Sequence, residues 1–300
     1  YAVLITVGAS TDKKLGLPNE DAEGITSAVG FLRNVSLGDC PDLTGQEVAV
    51  IGGGNVSMDA VRTAIRLGAK KVSIVYRRRV ADMTALPAEI EAAVAEGVEL
   101  LTLVAPAGIE VDENGHVSGV RVTPQMISTI KDGRASVIAS GEPEYVIPCQ
   151  TMIVAIGQNI ETKHYEESGI PVSRGKIVTL PNGGFADIPG VFAGGDCASG
   201  PATVIKAVAA AKVTAANIDE YLGYHHEITC NVEIPLPNNA DHTPCGRVEL
   251  SEREASERKH DFEGVENCMN KKEIAQESGR CLRCDHFGFG IFKGGREKLW

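Results

Sequence analysis

Residues 52–57 read Gly52-Gly53-Gly54-Asn55-Val56-Ser57, directly after the apolar run Val48-Ala49-Val50-Ile51 and directly before a stretch with helical spacing of apolar positions. A strand that ends in glycines and opens a helix presents unpaired backbone N–H groups, at the positive end of the helix dipole, to an anion. In Gly-x-Gly-x-x-Ser, Gly52 permits the tight turn and Gly54 lets the backbone approach a pyrophosphate. Ser57 stands where the standard pattern has glycine, and a small side chain other than glycine sets the helix slightly further from the strand. About twenty residues on, a site for the unphosphorylated dinucleotide places a carboxylate on the ribose hydroxyls. This chain has Tyr76-Arg77-Arg78-Arg79 there. Guanidinium groups bind a 2′-phosphate by charge-assisted contacts, so the expected ligand is NADPH, held by Gly52, Gly53, Gly54, Asn55, Val56, Ser57, Arg77 and Arg78. The competing reading, a plain turn beside solvated arginines, requires strand, helix and basic terminus to fall in register by coincidence. Asp59, one turn into the helix, is expected to brace the glycine loop by hydrogen bonding.

These residues need a sheet to position them. Strand, glycine turn, a helix over 56–67 and a strand over 71–76 make a βαβ unit. A second helix is predicted over Pro87–Glu96 with Ile90, Ala93 and Val94 on its apolar face, ending at Gly97 before the apolar run 98–104. The alternation implies a parallel sheet. Between Ile109 and Ile147 short alternating segments, with turns at Glu113-Asn114-Gly115 and Lys131-Asp132-Gly133, predict an antiparallel meander. A buried-type strand follows over 151–156. Beyond a proline-containing stretch come Gly194-Gly195-Asp196 and a long, largely buried helix over 202–222. From His225 onward the chain reads as an appended, mostly irregular arm in which only Lys271–Gly279 is predicted helical. The fold class is therefore α/β: a Rossmann-like NADPH domain, parallel sheet plus antiparallel meander, inserted in a partial second nucleotide domain. Its expected segments are 1–44 (strand and linker), 45–150 (nucleotide domain), 151–224 (return to the second domain) and 225–300 (tail).

Composition bounds the partners. Three hundred residues, 43% hydrophobic and 23% charged, suit two soluble domains, and a net charge of −11 argues against nucleic acid or an anionic membrane surface, both of which need clustered Lys and Arg. No apolar run reaches the roughly 18 residues a bilayer requires. The expected setting is cytoplasmic. A strand-like run begins at Ala2 with no preceding element to pack on, so the chain reads as a piece of a larger polypeptide or complex.

Four separated motifs, Val50-Ile51-Gly52-Gly53-Gly54-Asn55-Val56-Ser57-Met58-Asp59, Val75-Tyr76-Arg77-Arg78, Ala155-Ile156-Gly157-Gln158 and Gly194-Gly195-Asp196, together resemble the flavin half of the glutamate synthase small subunit family. The resemblance runs over residues 1 to about 222 and implies an FAD domain interrupted by an NADPH domain. It implies that Val7-Gly8-Ala9 ends the first flavin segment and that Ala155-Ile156-Gly157 is the return strand. Gly195 and Asp196 would sit at FAD, and the Thr203 and Val204 amides would face the flavin ring, where a helix dipole favours the charge of the reduced ring. The sequence departs from that family in one respect: the first flavin strand with its own glycine fingerprint does not occur in it.

Three of the eight cysteines, Cys268, Cys281 and Cys284, crowd the last stretch. The segment around Arg280-Cys281-Leu282-Arg283-Cys284 resembles the iron-sulfur entry segment of the same family, there placed ahead of the flavin domains. Thiolates favour iron and zinc, and Cys245 or Cys230 stand behind as further ligands. An iron-sulfur cluster, a zinc site and reduced bystander thiols all stay open. A thioredoxin-reductase-like disulfide reductase would need a cysteine pair inside the nucleotide domain, yet residues 45–146 contain no cysteine. Cys149 and Cys197 read as lone packing residues, and the histidines as solvated.

The expected function is hydride transfer between NADPH and FAD, with electrons passing to or from an iron-sulfur or flavin partner subunit and no acid or base in the protein. The alternative is a non-catalytic NADP(H)-binding scaffold with an incomplete flavin site.

Overall fold

The computed structural model describes residues 1–226 and 245–280. The chain divides into two compact units, one built from Asp12–Gly157 with Ser251–Asn267, the other from Tyr1–Thr11 and the described residues of 158–250 and 268–300.

In the first of these units, β1 (Ile25–Ser27) leads into α1 (Ala28–Ser36), β2 (Glu47–Ile51) into α2 (Asn55–Arg66), and β3 (Lys71–Tyr76) into α3 (Pro87–Ala95), before β4 (Glu99–Thr102). An antiparallel set follows: β5 (Val104–Val111), β6 (Val117–Lys131), β7 (Arg134–Ala139) and β8 (Tyr145–Pro148). The chain then returns as β9 (Thr151–Val154) to a five-stranded parallel sheet of order β1-β9-β2-β3-β4. Residues 12–44, which the sequence places with the flavin side and its linker, lie in this unit because β1 pairs with β9 through Ile25 to Met152.

The apolar run of β2 is continuous because both faces of the sheet are covered. Val48 and Val50 pack with Met58, Val61 and Ala93 of the helices. Ala49 and Ile51 pack with Val104, Ile109, Val120 and Met152 under the antiparallel sheet. In α3 the buried residues are Ile90, Ala92 and Ala93, while Val94 is exposed. Ile90 and Ala93 keep the predicted face, and Ala92 takes the place expected for Val94.

In the other unit Val3–Ile5 pairs in parallel with Val191–Ala193, and Ile160, Ile177, Phe185, Ala193 and Cys197 form a small core. The helix α4 (Val204–Tyr221) begins at Thr203, whose side chain accepts from Lys206 N–H. It is not largely buried. Only Thr214, Ala216 and Asn217 are buried, and Val204 and Ile205 are 79% and 81% exposed. Its alanine-rich sequence reflects helix propensity rather than burial all round. Tyr221 anchors the C-terminal end edge-on against Phe192, with ring centroids 5.8 Å apart.

The tail carries more structure than its prolines suggest. Ala255–Arg258 is one helical turn, and the segment around it belongs to the nucleotide unit. The predicted helix forms as α5 (Lys271–Gly279), started by a capping box in which Asn270 accepts from the Lys272 and Glu273 amides and Glu273 accepts from the Asn270 amide. Among the described residues no helix is long and apolar enough to cross a membrane.

Candidate functional site

The glycine turn sits at the C-terminal edge of the parallel sheet, where ligands of open α/β folds bind. Gly52 has φ +146°, and a Cβ there would collide with the Ala155 carbonyl oxygen and lie 2.7 Å from Ser57 Oγ. Gly53, a variable position in the sequence pattern, is constrained by side chains: a Cβ would come within 2.7 Å of the Tyr76 ring. Gly54 differs, since only Thr84 Oγ1 lies near, at 3.4 Å. The space over Gly54 is open. The first hydrogen bond of α2 runs from Ser57 N–H to the Gly54 carbonyl at 2.9 Å, so the Asn55 and Val56 amides precede it at the open helix end.

Ser57 is fully buried and its hydroxyl finds no partner among the described protein groups. A buried orphan hydroxyl inside a phosphate-type turn, beside a glycine cradle that a Cβ would fill, fits a dinucleotide.

The loop after β3 is laced to the turn. Thr84 and Ala85 N–H donate to the Gly53 carbonyl at 3.0 and 3.2 Å, and Leu86 N–H donates to Asn55 Oδ1 at 2.9 Å. This lacing, and not Asp59, braces the glycine loop. Asp59 makes no hydrogen bond to it among the described residues; burial and then the neighbouring Glu89 push its carboxyl up from the ordinary range.

The three arginines separate into roles. Arg79 is committed to Asp82, Arg78 Nε donates to the Ala135 carbonyl at 2.9 Å, and Arg77 is exposed with no partner among the described residues. Arg77 and the outer nitrogens of Arg78 are the groups free for a phosphate. Ala155 continues the β9 register, donating its N–H to the Ile51 carbonyl at 2.8 Å, and Gly157 follows at φ +112°.

In the other unit, Gly8 (φ +68°) and Gly195 (φ +75°) leave the same end of the parallel pair, and Gly194 N–H donates to the Ile5 carbonyl at 3.1 Å. A Cβ at Gly194 would lie 3.0 Å from Thr214 Oγ1, so that glycine lets α4 close on the strand. Asp196 opens a single helical turn, and Thr203 caps α4 with Val204 in its first turn. Cys197 is buried with its thiol 3.2 Å from the Gly194 carbonyl. Cys149 is also buried, and burial, with Glu47 nearby, pushes its thiol up to about 12, away from the reactive thiolate form. Cys268 and Cys245 are exposed and form no disulfide among the described residues. Cys281 and Cys284, like Cys230, lie outside the described residues, and among the described residues no three metal-binding side chains converge.

Sequence reasoning named Gly53 but not its close approach to the Tyr76 ring. It missed Asp82, which nothing local signalled, since its partner Ala135 lies on a distant hairpin.

A doubly covered parallel sheet with a phosphate turn and a basic strand end, followed by a second glycine-ended parallel pair, defines a two-unit nucleotide-dependent oxidoreductase fold. Residues 1–211 match the pyridine nucleotide-disulphide oxidoreductase family, and the chain belongs to it. It is 35% identical, over 98% of its length and 43% of the relative's, to the NADP(+)-dependent formate dehydrogenase subunit beta of Moorella thermoacetica. It is 36% identical, over 74% of its length and 50% of the relative's, to the NADPH glutamate synthase small chain of Escherichia coli (strain K12). The chain thus spans half or less of these two relatives. Mycobacterium tuberculosis FprA in complex with NADPH shares the fold, with a TM-score of 0.61 at 21% identity over 74% of this chain and 64% of that one. The resemblance to glutamate synthase small chains holds, and NADPH and FAD are the cofactors of this family.

Proposed function

We propose that this chain is the part of an NADPH-dependent FAD oxidoreductase that binds NADPH at residues 52–57, presents it to FAD for hydride exchange, and passes electrons to or from an iron-sulfur partner. The observation that carries the reading is the glycine turn closed over Ala155 and Ser57 with Arg77 left exposed at the end of β3. FAD, when bound, supplies the exchange of a hydride for single electrons.

The residues of the chain bind and orient. Gly52 and Gly54 admit the pyrophosphate to the Asn55 and Val56 amides, Ser57 offers its unpartnered hydroxyl, and Arg77 with Arg78 takes the 2′-phosphate. Ala155 and Gly157 line the return strand. Gly8, Gly195 and Asp196 hold FAD, and the α4 amides at Thr203 and Val204 favour negative charge on the reduced ring. No side chain is asked to move a proton. Cys268, Cys281 and Cys284 are the tail ligands of an iron-sulfur centre, which lies on this chain or is completed by a partner subunit; an alignment over 98% of the chain takes in this tail. The unpaired cysteines among the described residues suit the reducing cytoplasm.

The test is a visible absorbance spectrum of the purified chain before and after anaerobic NADPH, with NADH as control. Flavin bands bleached by NADPH and not by NADH are the expected result. A colourless chain that binds NADPH would favour the non-catalytic scaffold, and a chain that binds no nicotinamide nucleotide would overturn the reading.

A further inference from the structure

Asp82 is charged, its side chain is fully buried, and the hydride reaction gives it nothing to do. Its carboxylate accepts four hydrogen bonds, one of them from the Arg79 backbone N–H at 3.3 Å. Arg79 donates Nε to Oδ2 at 2.8 Å and Nη2 to Oδ1 at 3.0 Å, and the buried Ala135 N–H donates to Oδ1 at 2.9 Å. The carbonyl of the same Ala135 accepts from Arg78 Nε. Ala135 therefore turns both backbone groups away from β6 and toward the loop after β3, which caps the outer edge of β7. Asp82 is itself tied to the glycine turn, because its own carbonyl accepts from Tyr76 Oη at 2.7 Å and the Tyr76 ring fills the space beside Gly53.

Resting on the NADPH reading of this site, we propose that Asp82 is a positioning residue for recognition of the 2′-phosphate: it removes Arg79 from the site and grips Ala135, so that the Ala135 carbonyl fixes the guanidinium plane of Arg78 beside Arg77. The hairpin β6–β7 becomes part of the site without touching the nucleotide through Asp82. Loss of the carboxylate leaves the buried Ala135 N–H unpaired, frees the edge of β7, and takes from Arg78 its fixed acceptor. Arg79 is freed as a mobile cation that competes for carboxylates instead of holding one geometry.

The proposal separates binding of a 2′-phosphate from binding of the rest of the nucleotide. The probes are adenosine 2′,5′-bisphosphate and adenosine 5′-monophosphate, which differ only in that phosphate, titrated calorimetrically into the full chain. Asp82→Ala is expected to weaken the bisphosphate roughly ten-fold, the scale of one lost charge-assisted hydrogen bond, and to leave the monophosphate within about two-fold. Asp82→Asn keeps an acceptor for Ala135 and is expected to retain most of the affinity. If Asp82→Ala does not fold, Ala135→Pro removes the same N–H from a strand edge that faces away from β6, and the same selective loss is expected. In an Arg78→Met background Asp82→Ala should add nothing further. Equal weakening of both probes, no weakening of either, or a loss that persists in the Arg78→Met background overturns the positioning role. Arg77→Ala distinguishes the two levels: unchanged bisphosphate binding there overturns the NADPH site itself, whereas a selective loss there with none for Asp82→Ala overturns the positioning role alone.

Discussion

Arg258, in the single helical turn of the tail, donates Nε to Glu96 Oε1 at 2.9 Å across 162 residues of sequence. Glu96 closes α3 and its side chain is fully buried; Arg62 and Arg66 of α2 contact the same carboxylate at 2.8 and 2.7 Å. One carboxylate thus collects three guanidinium groups, two from the nucleotide domain and one from the tail. Arg66 Nε also donates to the Asp261 carbonyl at 2.8 Å, and Arg253 pairs with the Asp261 carboxylate. The tail segment 251–267 is fixed to the back of α2 and α3 by charge rather than by apolar burial, which is why its composition gave no hint of packing.

Removing the shared acceptor should cost more than removing one donor. Glu96→Gln takes from Arg66 its carboxylate and leaves Arg62 and Arg258 with only Glu89 and Glu252, and is expected to destabilise by about 3–5 kcal/mol. Arg258→Ala leaves Glu96 with Arg62 and Arg66 and is expected to cost about 1–3 kcal/mol. Urea unfolding of the two variants checks the order, and limited proteolysis should show residues 251–267 released in Arg258→Ala while the parallel sheet stays folded.

The same carboxylate sets an acid limit. Burial alone would raise the Glu96 pKa, but hydrogen bonds and charge from Arg66 and Arg62 overcome it and hold the value near about 2, against 4.5 for an ordinary glutamate. A folded value below the unfolded one means that this stabilisation is complete above pH 4.5 and lost as pH falls toward about 2. Asp261, held by Arg253 and also near about 2, titrates in the same window. Hydrogen exchange of the 251–267 segment should accelerate between these limits, and a segment equally protected at both ends would contradict the assignment.

Two glycines of one turn should fail differently. Gly52→Ala meets the Ala155 carbonyl in a backbone conformation that costs on the order of 1–3 kcal/mol for an ordinary residue, so both stability and nucleotide binding should fall. Gly54→Ala finds ordinary space, with its nearest neighbour at 3.4 Å, so thermal stability should be unchanged while NADPH binding weakens. Paired melting curves with and without NADPH separate the two outcomes.

Thiol accessibility supplies a fourth check. Of the described cysteines, Cys40, Cys245 and Cys268 are exposed, whereas Cys149 and Cys197 are buried. Alkylation of the native chain near the ordinary thiol pKa should modify Cys40 and Cys245, and Cys268 once any cluster is removed, and spare the other two; Cys149 should react only after unfolding, since burial pushes its thiol up to about 12.

The glycine turn was readable in the sequence because its geometry is local. A glycine at a positive φ, a helix starting at once and a basic strand end all fall within thirty residues, and backbone geometry permits few other arrangements of them. The parallel sheet was readable for the same reason, as each βα step closes on itself. The continuous apolar run of β2 showed burial but could not tell which face Val48 and Ala49 would each take. What only the tertiary structure decided are relations between residues far apart in the chain. Ala155 closes over Gly52, Ala135 determines which of three adjacent arginines stays free, and Arg258 reaches Glu96. Each depends on a polar group finding one partner among many at long range, and charge or hydrogen-bonding capacity read from a sequence carries no address. The amino-acid order by itself determined that a glycine turn joins a strand to a helix here, beside a basic strand end. The folded chain determined which side chains surround it, because burial obliges each polar group to take the partner that packing brings within reach.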